Sequence, residues 1–322
     1  MNFEPNYSSI LLSWTALIGG LVLLIAGGEF LVSGAGKLAK RFGMSSLLVG
    51  LTIVAFGTSM PELSVGLIAL FQGHPDILTG NVIGSNIANV GLILGICALI
   101  TPLPVRFKSV SRELYIMLGT TIIVFFIAWH GSFPRSLGFV FVASLVFYTV
   151  QTFRKAANNK TLSQNEPLDD NADRLTSLSY ISLLTIIGLG FLPLGSNFFI
   201  KGAVDIARAF GASELVIGLT LAAVGTSLPE LASCLAAIRQ HQTKILVGNI
   251  IGSNLFNLLM VLGLCGLLAP FPMSSNLLSR DIPIMFSLSA ILLPILAVQQ
   301  GLNRLHGVIL LVSYISYLFI LK

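Results

Sequence analysis

Two seven-residue segments, GTSMPEL at Gly57–Leu63 and GTSLPEL at Gly225–Leu231, each set a proline and a glutamate side by side in an otherwise apolar run. A proline inside a helix removes one backbone hydrogen bond, and its ring clashes with the preceding turn. Pro61 therefore predicts a bend or break near Gly57, with carbonyls around Ala55 and Gly57 left to coordinate something else. Ala55, Thr58, Ser59 and Glu62 fall at i, i+3, i+4 and i+7, on one helical face. Ala223, Thr226, Ser227 and Glu230 repeat the set around Pro229.

The duplication runs well beyond these segments. Gly50–Gly95 aligns without a gap on Gly218–Gly263 at an offset of 168 residues, with 24 of 46 positions identical. GNVIGSNIAN (80–89) and GNIIGSNLFN (248–257) are part of the match. They place Asn81, Ser85 and Asn89, and likewise Asn249, Ser253 and Asn257, on one stripe. The donors gathered by both copies are carboxylates, hydroxyls, amides and carbonyls. An all-oxygen set suits a hard cation such as calcium or sodium, whereas a transition-metal site would call for nitrogen or sulfur.

Of the 322 residues, 55% are hydrophobic and 10% charged, against roughly 25% charged in a soluble domain. Ten apolar spans are read at about 14–41, 45–70, 77–100, 111–129, 134–153, 178–209, 213–239, 245–268, 281–299 and 304–321. The expected fold is an all-α integral membrane protein with ten transmembrane helices in two repeats of five. Residues 1–153 form the first half, 154–177 a polar cytoplasmic linker and 178–322 the second half. Five spans per half give the halves opposite orientations in the membrane, an inverted-topology repeat. With the N-terminus outside, 13 of the 18 lysines and arginines face the cytoplasm, as the positive-inside bias requires. The formal charge of +5 is then a matter of topology rather than of nucleic-acid binding. Glu4 and the lack of a basic segment before the first apolar run argue against a cleaved signal.

Ser59-x-x-Glu62 and Ser227-x-x-Glu230 also have the form of a capping box. A capping role alone is the weaker reading for two symmetric copies, each followed by an Asn/Ser stripe. A carboxylate in the membrane interior is expensive without a partner, and no basic residue lies at that depth. Other polar features carry less. Glu29 lies within the first span but has Asn197 at its repeat position; it either lines a cavity or bonds a neighbouring helix. Arg112-Glu113 and Arg280-Asp281 read as interfacial anchors. Asp169-x-Asn171-x-Asp173 opens like a calcium loop, but Arg174 and Tyr180 occupy positions that need glycine and glutamate. Cys97, Cys234 and Cys265 have no metal-ligand spacing and read as small buried residues, and the four histidines suggest no metal site.

The paired GTSxPE and GNxxGSNxxN segments resemble the two alpha-repeats of the calcium/cation antiporter superfamily, and most nearly its bacterial and archaeal sodium/calcium exchangers of YrbG type. The resemblance spans nearly the whole chain. It implies a non-enzymatic antiporter that exchanges calcium for sodium by alternating access, with no cofactor besides the transported ions. The ligands it implies are Ala55, Thr58, Ser59, Glu62, Ser85 and Asn89, and Ala223, Thr226, Ser227, Glu230, Ser253 and Asn257, the alanines through their carbonyls. Several relatives carry aspartate where this chain has Asn257, which leaves potassium dependence and sodium stoichiometry open. Proton/calcium exchangers of the superfamily show an acid in GNxxE that is missing after Asn81 and Asn249. That alternative, and a sodium-coupled symporter of an organic solute, stand behind sodium/calcium antiport. The expected partners are calcium, sodium and the lipid bilayer of the cell (inner) membrane, with a monomer as the default state.

Overall fold

The computed structural model describes residues 6–159, 177–211, 225–274 and 277–320. Most of the expected linker, 160–176, and the start of the seventh expected span, 213–224, lie outside the described residues. The described chain is almost wholly helical. Its helices are α1 (Ile10–Phe42), α2 (Ser46–Phe71), α3 (Pro75–Ile100), α4 (Phe107–His130) and α5 (Arg135–Asn159), then α6 (Leu178–Ala209), the described part of α7 (Leu228–Arg239), α8 (Thr243–Leu268), α9 (Leu277–Gln299) and α10 (Arg304–Ile320). Eight are long and apolar enough to cross a membrane, and α10 is a shorter apolar helix of 17 residues. Each of the ten expected spans thus coincides with helix over its described residues.

Local chemistry sets the helix ends. Ser9 Oγ accepts the Leu12 N–H at the start of α1, and Gly43, at φ 60°, ends the helix in the left-handed conformation that glycine tolerates best. Packing sorts the helices into a centre and a flank. In the most apolar 18-residue windows of α3 and α8, 72% and 89% of residues are buried, against 22% and 28% in α1 and α6. α3 and α8 therefore form the interior, and α1 and α6 lie on the flank.

The α1–α6 pair has its own sequence logic. Gly20, Gly27 and Gly34 recur every seven residues on α1, and Gly188, Gly195 and Gly202 do so on α6, at the repeat offset of 168. A Cβ at any of the six would fall within 3.0 Å of backbone atoms of the partner helix. The two helices run antiparallel, Gly20 lying against Gly195 and Phe199, and Gly34 against Thr185. Small residues permit this backbone-to-backbone approach, which yields dispersion contacts where lipid supplies no hydrophobic drive.

Short antiparallel pairings tie the remaining helices at their ends. β1 (Leu103–Pro104) pairs with β4 (Gly301–Leu302), and β2 (Ser132–Phe133) with β3 (Phe271–Pro272). Each clasp joins a loop of one half to a loop of the other, and the Phe133 and Phe271 rings stack at 5.1 Å. Glu113 and Asp281, near the starts of α4 and α9, are buried within the protein. Tyr148 on α5 donates to Glu113 at 3.3 Å, and Tyr317 on α10 donates to Asp281 at 3.2 Å. The carboxylates fasten neighbouring helices within each half, as a buried acid needs a donor.

Gly20 and Gly19 provide a contrast on adjacent residues. Gly20→Ala meets the Gly195 carbonyl and the Phe199 backbone, whereas a Cβ at Gly19 meets nothing within 4 Å. Thermal unfolding in detergent is expected to show Gly20→Ala destabilised by about 1–3 kcal/mol, the usual result of overpacking. Gly19→Ala should be neutral or slightly stabilised through helix propensity. Equal midpoints for the two variants would contradict the close backbone contact.

Candidate ion-binding site

Helix breaks place the two motif glutamates. In α2, a π-helical segment (Gly50–Val54) leads into a short α segment (Ala55–Thr58). The helix then breaks at Ser59 (φ −83°, ψ 3°) and restarts at Met60 with Pro61 in its first turn. In α7 the described helix starts at Leu228, after Ser227 (φ −88°, ψ 5°), with Pro229 in its first turn. Proline is well tolerated in a first turn, where its missing N–H would have had no intrahelical partner. Glu62 and Glu230 thereby enter the first turns of their half-helices, where the helix dipole favours negative charge.

The Ala55 carbonyl is less free than Pro61 alone suggests. It accepts the Ser59 N–H at 3.1 Å and the Thr58 hydroxyl at 3.4 Å, because the turn closes on it before the helix breaks. Ala223 lies outside the described residues. The other eleven implied ligands are placed. Ten are buried and Thr226 is partly so.

The capping reading fails on geometry. Neither Ser59 nor Ser227 makes a side-chain cap bond. Both hydroxyl oxygens are buried and without a hydrogen-bond partner, as are both carboxyl oxygens of Glu62 and of Glu230. Among the described residues, ten buried side-chain polar atoms lack such a partner, and eight are oxygens of Ser59, Glu62, Asn89, Ser227, Glu230 and Asn257. Buried polar atoms are ordinarily satisfied, so eight unpartnered oxygens on six residues of two matching motifs point to a cation. Glu62 and Glu230 are near enough to interact electrostatically. Ser85 stands beside Glu62, and Thr58 and Ser253 beside Glu230, without hydrogen bonds of good geometry. No cluster of three or more His, Cys, Asp or Glu occurs among the described residues, so neutral oxygens make up most of the donor set.

Hydrogen bonds between the halves hold these donors in place. Thr58 on α2 bonds Asn249 Oδ1 and Ser253 Oγ on α8, both at 3.1 Å. In the mirrored arrangement Thr226 bonds Asn81 Oδ1 at 3.2 Å and Ser85 Oγ at 3.3 Å on α3. Asn81 Nδ2 then donates to the Glu62 carbonyl at 3.2 Å. On the other side Asn249 Nδ2 donates to Ser233 Oγ at 2.9 Å, and Ser233 donates in turn to the Glu230 carbonyl at 2.9 Å. Asn249 also donates to the buried Cys234 at 3.7 Å.

Asn86 and Asn254 are absent from the implied set and complete the arrangement. Asn89 Nδ2 donates to Asn254 Oδ1 at 3.0 Å, and Asn257 Nδ2 to Asn86 Oδ1 at 3.2 Å. These bonds assign the amide orientations and leave Oδ1 of Asn89 and of Asn257 without a partner. A signal for them exists in the sequence, since both follow the repeated Gly-Ser at the offset of 168. Their positions off the Asn81–Ser85–Asn89 stripe hide it. A π-helical turn begins at Asn89 and again at Asn257, a feature common at functional sites. Glu29 stands apart from this network. It pairs with Arg239 and Gln240 at the end of α7.

Ten helices in two inverted halves, meeting at paired helix breaks lined with oxygen donors, define a membrane transporter of the inverted-repeat class. A sequence profile described as sodium/calcium exchanger protein matches the chain twice, over residues 12–154 and 180–322. The sodium/calcium exchanger MaX1 of Methanosarcina acetivorans is 33% identical over 97% of this chain and 99% of its own length. The inner membrane protein YrbG of Escherichia coli is 37% identical over 88% of each. A solved structure of the sodium-calcium exchanger NCX_Mj, soaked with Na+ and Sr2+, superposes with a TM-score of 0.83 at 30% identity, covering 98% of this chain and 100% of that one. The chain belongs to the sodium/calcium exchanger protein family.

Because neither serine caps its helix, Ser59→Ala and Ser227→Ala are each expected to leave thermal stability within about 0.5 kcal/mol of the unsubstituted protein in ion-free detergent buffer. Loss of a true N-cap costs about 1 kcal/mol. A loss of that size in both variants would restore the capping role.

Proposed function

We propose that this chain is a secondary antiporter that exchanges calcium for sodium at the site between the two helix breaks. The carrying observation is the pair of buried carboxylates, Glu62 and Glu230, whose four oxygens have no hydrogen-bond partner. Relatives named as sodium/calcium exchangers support the reading. The ligands are the eleven placed residues together with the Ala223 carbonyl. The glutamates bind calcium directly, and sodium ions occupy overlapping positions among the hydroxyl, amide and carbonyl oxygens. Two carboxylates give the site a charge near −2, which one calcium ion or two or more sodium ions neutralise in turn. Either load removes the penalty of uncompensated charge in a low-dielectric interior. Loaded forms can then reorient, and exchange follows from alternating access. If three sodium ions replace one calcium, one net charge crosses per cycle and couples transport to voltage at about 2.3 kcal/mol per 100 mV.

The α1–α6 pair is the moving element in this scheme. Its backbones are tightly joined to each other, it lies outside the central helices, and neither β clasp includes it. The protein sits in the cell membrane as a monomer, N-terminus outside. Residues 1–153 and 178–322 are the two functional halves, and 154–177 is a cytoplasmic linker.

Sodium-gradient-driven calcium uptake into proteoliposomes tests the function. Glu62→Gln and Glu230→Gln are each expected to lower the exchange rate at least about 100-fold, equivalent to the loss of more than about 2.7 kcal/mol, with the fold retained. Exchange at the unsubstituted rate in either variant would reject the carboxylate site. Topology is tested in a cysteine-free background with an impermeant thiol reagent on right-side-out vesicles. Ser8→Cys should label and Gln164→Cys should not; the reverse pattern overturns the orientation.

Asn257 bears on ion choice. With an amide there and at Asn89, the site holds two carboxylates and no third, and transport is expected to proceed with potassium replaced by choline. Asn257→Asp should bind calcium more tightly and turn over more slowly, because a third carboxylate must release a divalent ion from a low-dielectric site. An absolute potassium requirement, or weaker calcium binding by the variant, would contradict this placement.

A further inference from the structure

Glu29 is the acidic residue of α1, and the exchange site makes no use of it. Its Oε2 accepts a hydrogen bond from Gln240 Nε2 at 2.8 Å, and its backbone carbonyl accepts a second from the same amide at 3.1 Å. Its Oε1 lies 3.3 Å from Arg239 Nε, a charge contact whose angle makes no hydrogen bond. Arg239 and Gln240 end α7, the helix that carries Glu230. One residue before Glu29, Gly28 lies against the Ala232 backbone, where a Cβ would come within 2.7 Å of the carbonyl oxygen. An apolar cavity of about 300 Å³ lies along the same seam, lined by residues such as Leu24, Leu228 and Leu235, with Glu29 and Arg239 on its wall. The α1–α7 seam thus combines a smooth small-residue contact, a space beside it and one polar fastening.

The fastening has no counterpart in the other half. At the repeat offset, Glu29 corresponds to Asn197 on α6, and Arg239 to Phe71 on α2. No ion pair can form there. Two inverted halves with identical seams would favour inward and outward access equally; a fastening on one seam alone breaks that balance. Arg239 lies nine residues beyond Glu230, about 13 Å along the helix toward the end that the proposed topology places inside.

We propose that Glu29, Arg239 and Gln240 form a one-sided latch that holds the α1–α6 pair against α7 and biases the transport cycle toward the state with the inner path closed. These are positioning residues, which act through the seam and not on the ion. The inference rests on the reading of α1–α6 as the moving element. The pair is partly exposed, its side chains 67% and 27% accessible for Arg239 and Glu29. Its removal is therefore expected to shift the equilibrium modestly, by roughly two- to tenfold.

The test has two readouts. Leu235→Cys, in a background without the native cysteines, reports opening of the seam through its rate of labelling by a small maleimide. Adding Glu29→Gln or Arg239→Gln is expected to raise that rate roughly two- to tenfold, with no further rise when both are present. The swapped pair Glu29→Arg with Arg239→Glu should return it toward the starting value. In oriented proteoliposomes the same variants should shift the ratio of apparent calcium KM at the two faces by a similar factor, with affinity gained inside and lost outside. A merely structural pair would lower stability without moving that ratio. Unchanged labelling, or additive effects of the two substitutions, would overturn the latch. Labelling does not depend on transport. Failure of the exchange reading would therefore appear separately, as absent calcium uptake by the unsubstituted protein with the labelling difference intact.

Discussion

Holding two carboxylates in the membrane interior without a proton donor or a basic partner is the constraint on which the rest of the molecule depends. An isolated buried charge is penalised by several kcal/mol even after local relaxation. In the proposed exchange site relief comes from outside the polypeptide, as a cation, and the surroundings supply neutral oxygens to replace its water. That requirement accounts for the broken helices, which bring Glu62 and Glu230 to first turns, and for the central position of α3 and α8, which bring the amides. It also accounts for the crossing of the hydrogen bonds. Thr58 belongs to one half and is held by the other, and Thr226 is held the same way in return. Each half thus positions a motif hydroxyl of the other.

Much of this was readable before any coordinates. Hydropathy and length located the ten spans because a bilayer admits few alternatives to a long apolar helix. The duplicated GTSxPEL segments located the breaks, because a proline beside an acid in an apolar helix has few explanations and two copies have fewer. Asn86 and Asn254 were not readable, since their value lies in contacts across the interface between halves. Periodicity along one helix does not report on a partner in another. The hydrogen bonds that the Ala55 carbonyl accepts were hidden for a related reason. Proline predicts which donor is lost, but the turn at Ser59 decides which donor replaces it. Glu113 and Asp281 read as anchors from their place at the starts of spans; their tyrosine partners on α5 and α10 were not readable, whereas Arg280 beside Asp281 was.

The six glycines of α1 and α6 offer a second case of pattern without an obvious reading. Their spacing of seven is plain in the sequence, yet a glycine in a helix is ordinarily a weakness. It becomes an advantage only against another backbone, and the repeat supplies one because the same glycines recur on the opposed helix. Internal duplication thus provides a self-complementary surface as well as two copies of a site.

The lengths of these two helices have a consequence for the surrounding lipid. At 33 and 32 residues, α1 and α6 extend about 50 Å along their axes, while a typical hydrocarbon core is about 30 Å thick. Such helices must tilt or protrude, and tilt responds to bilayer thickness at fractions of a kcal/mol per Å of mismatch. Few residues are buried in the most apolar stretch of either helix. In the proposed cycle, a displacement of this pair across the membrane changes how much apolar helix meets headgroups, so the thickness of the host bilayer enters the energy difference between the two access states. Membrane composition then becomes a variable of the proposed cycle, although the exchange site lies at the protein's centre.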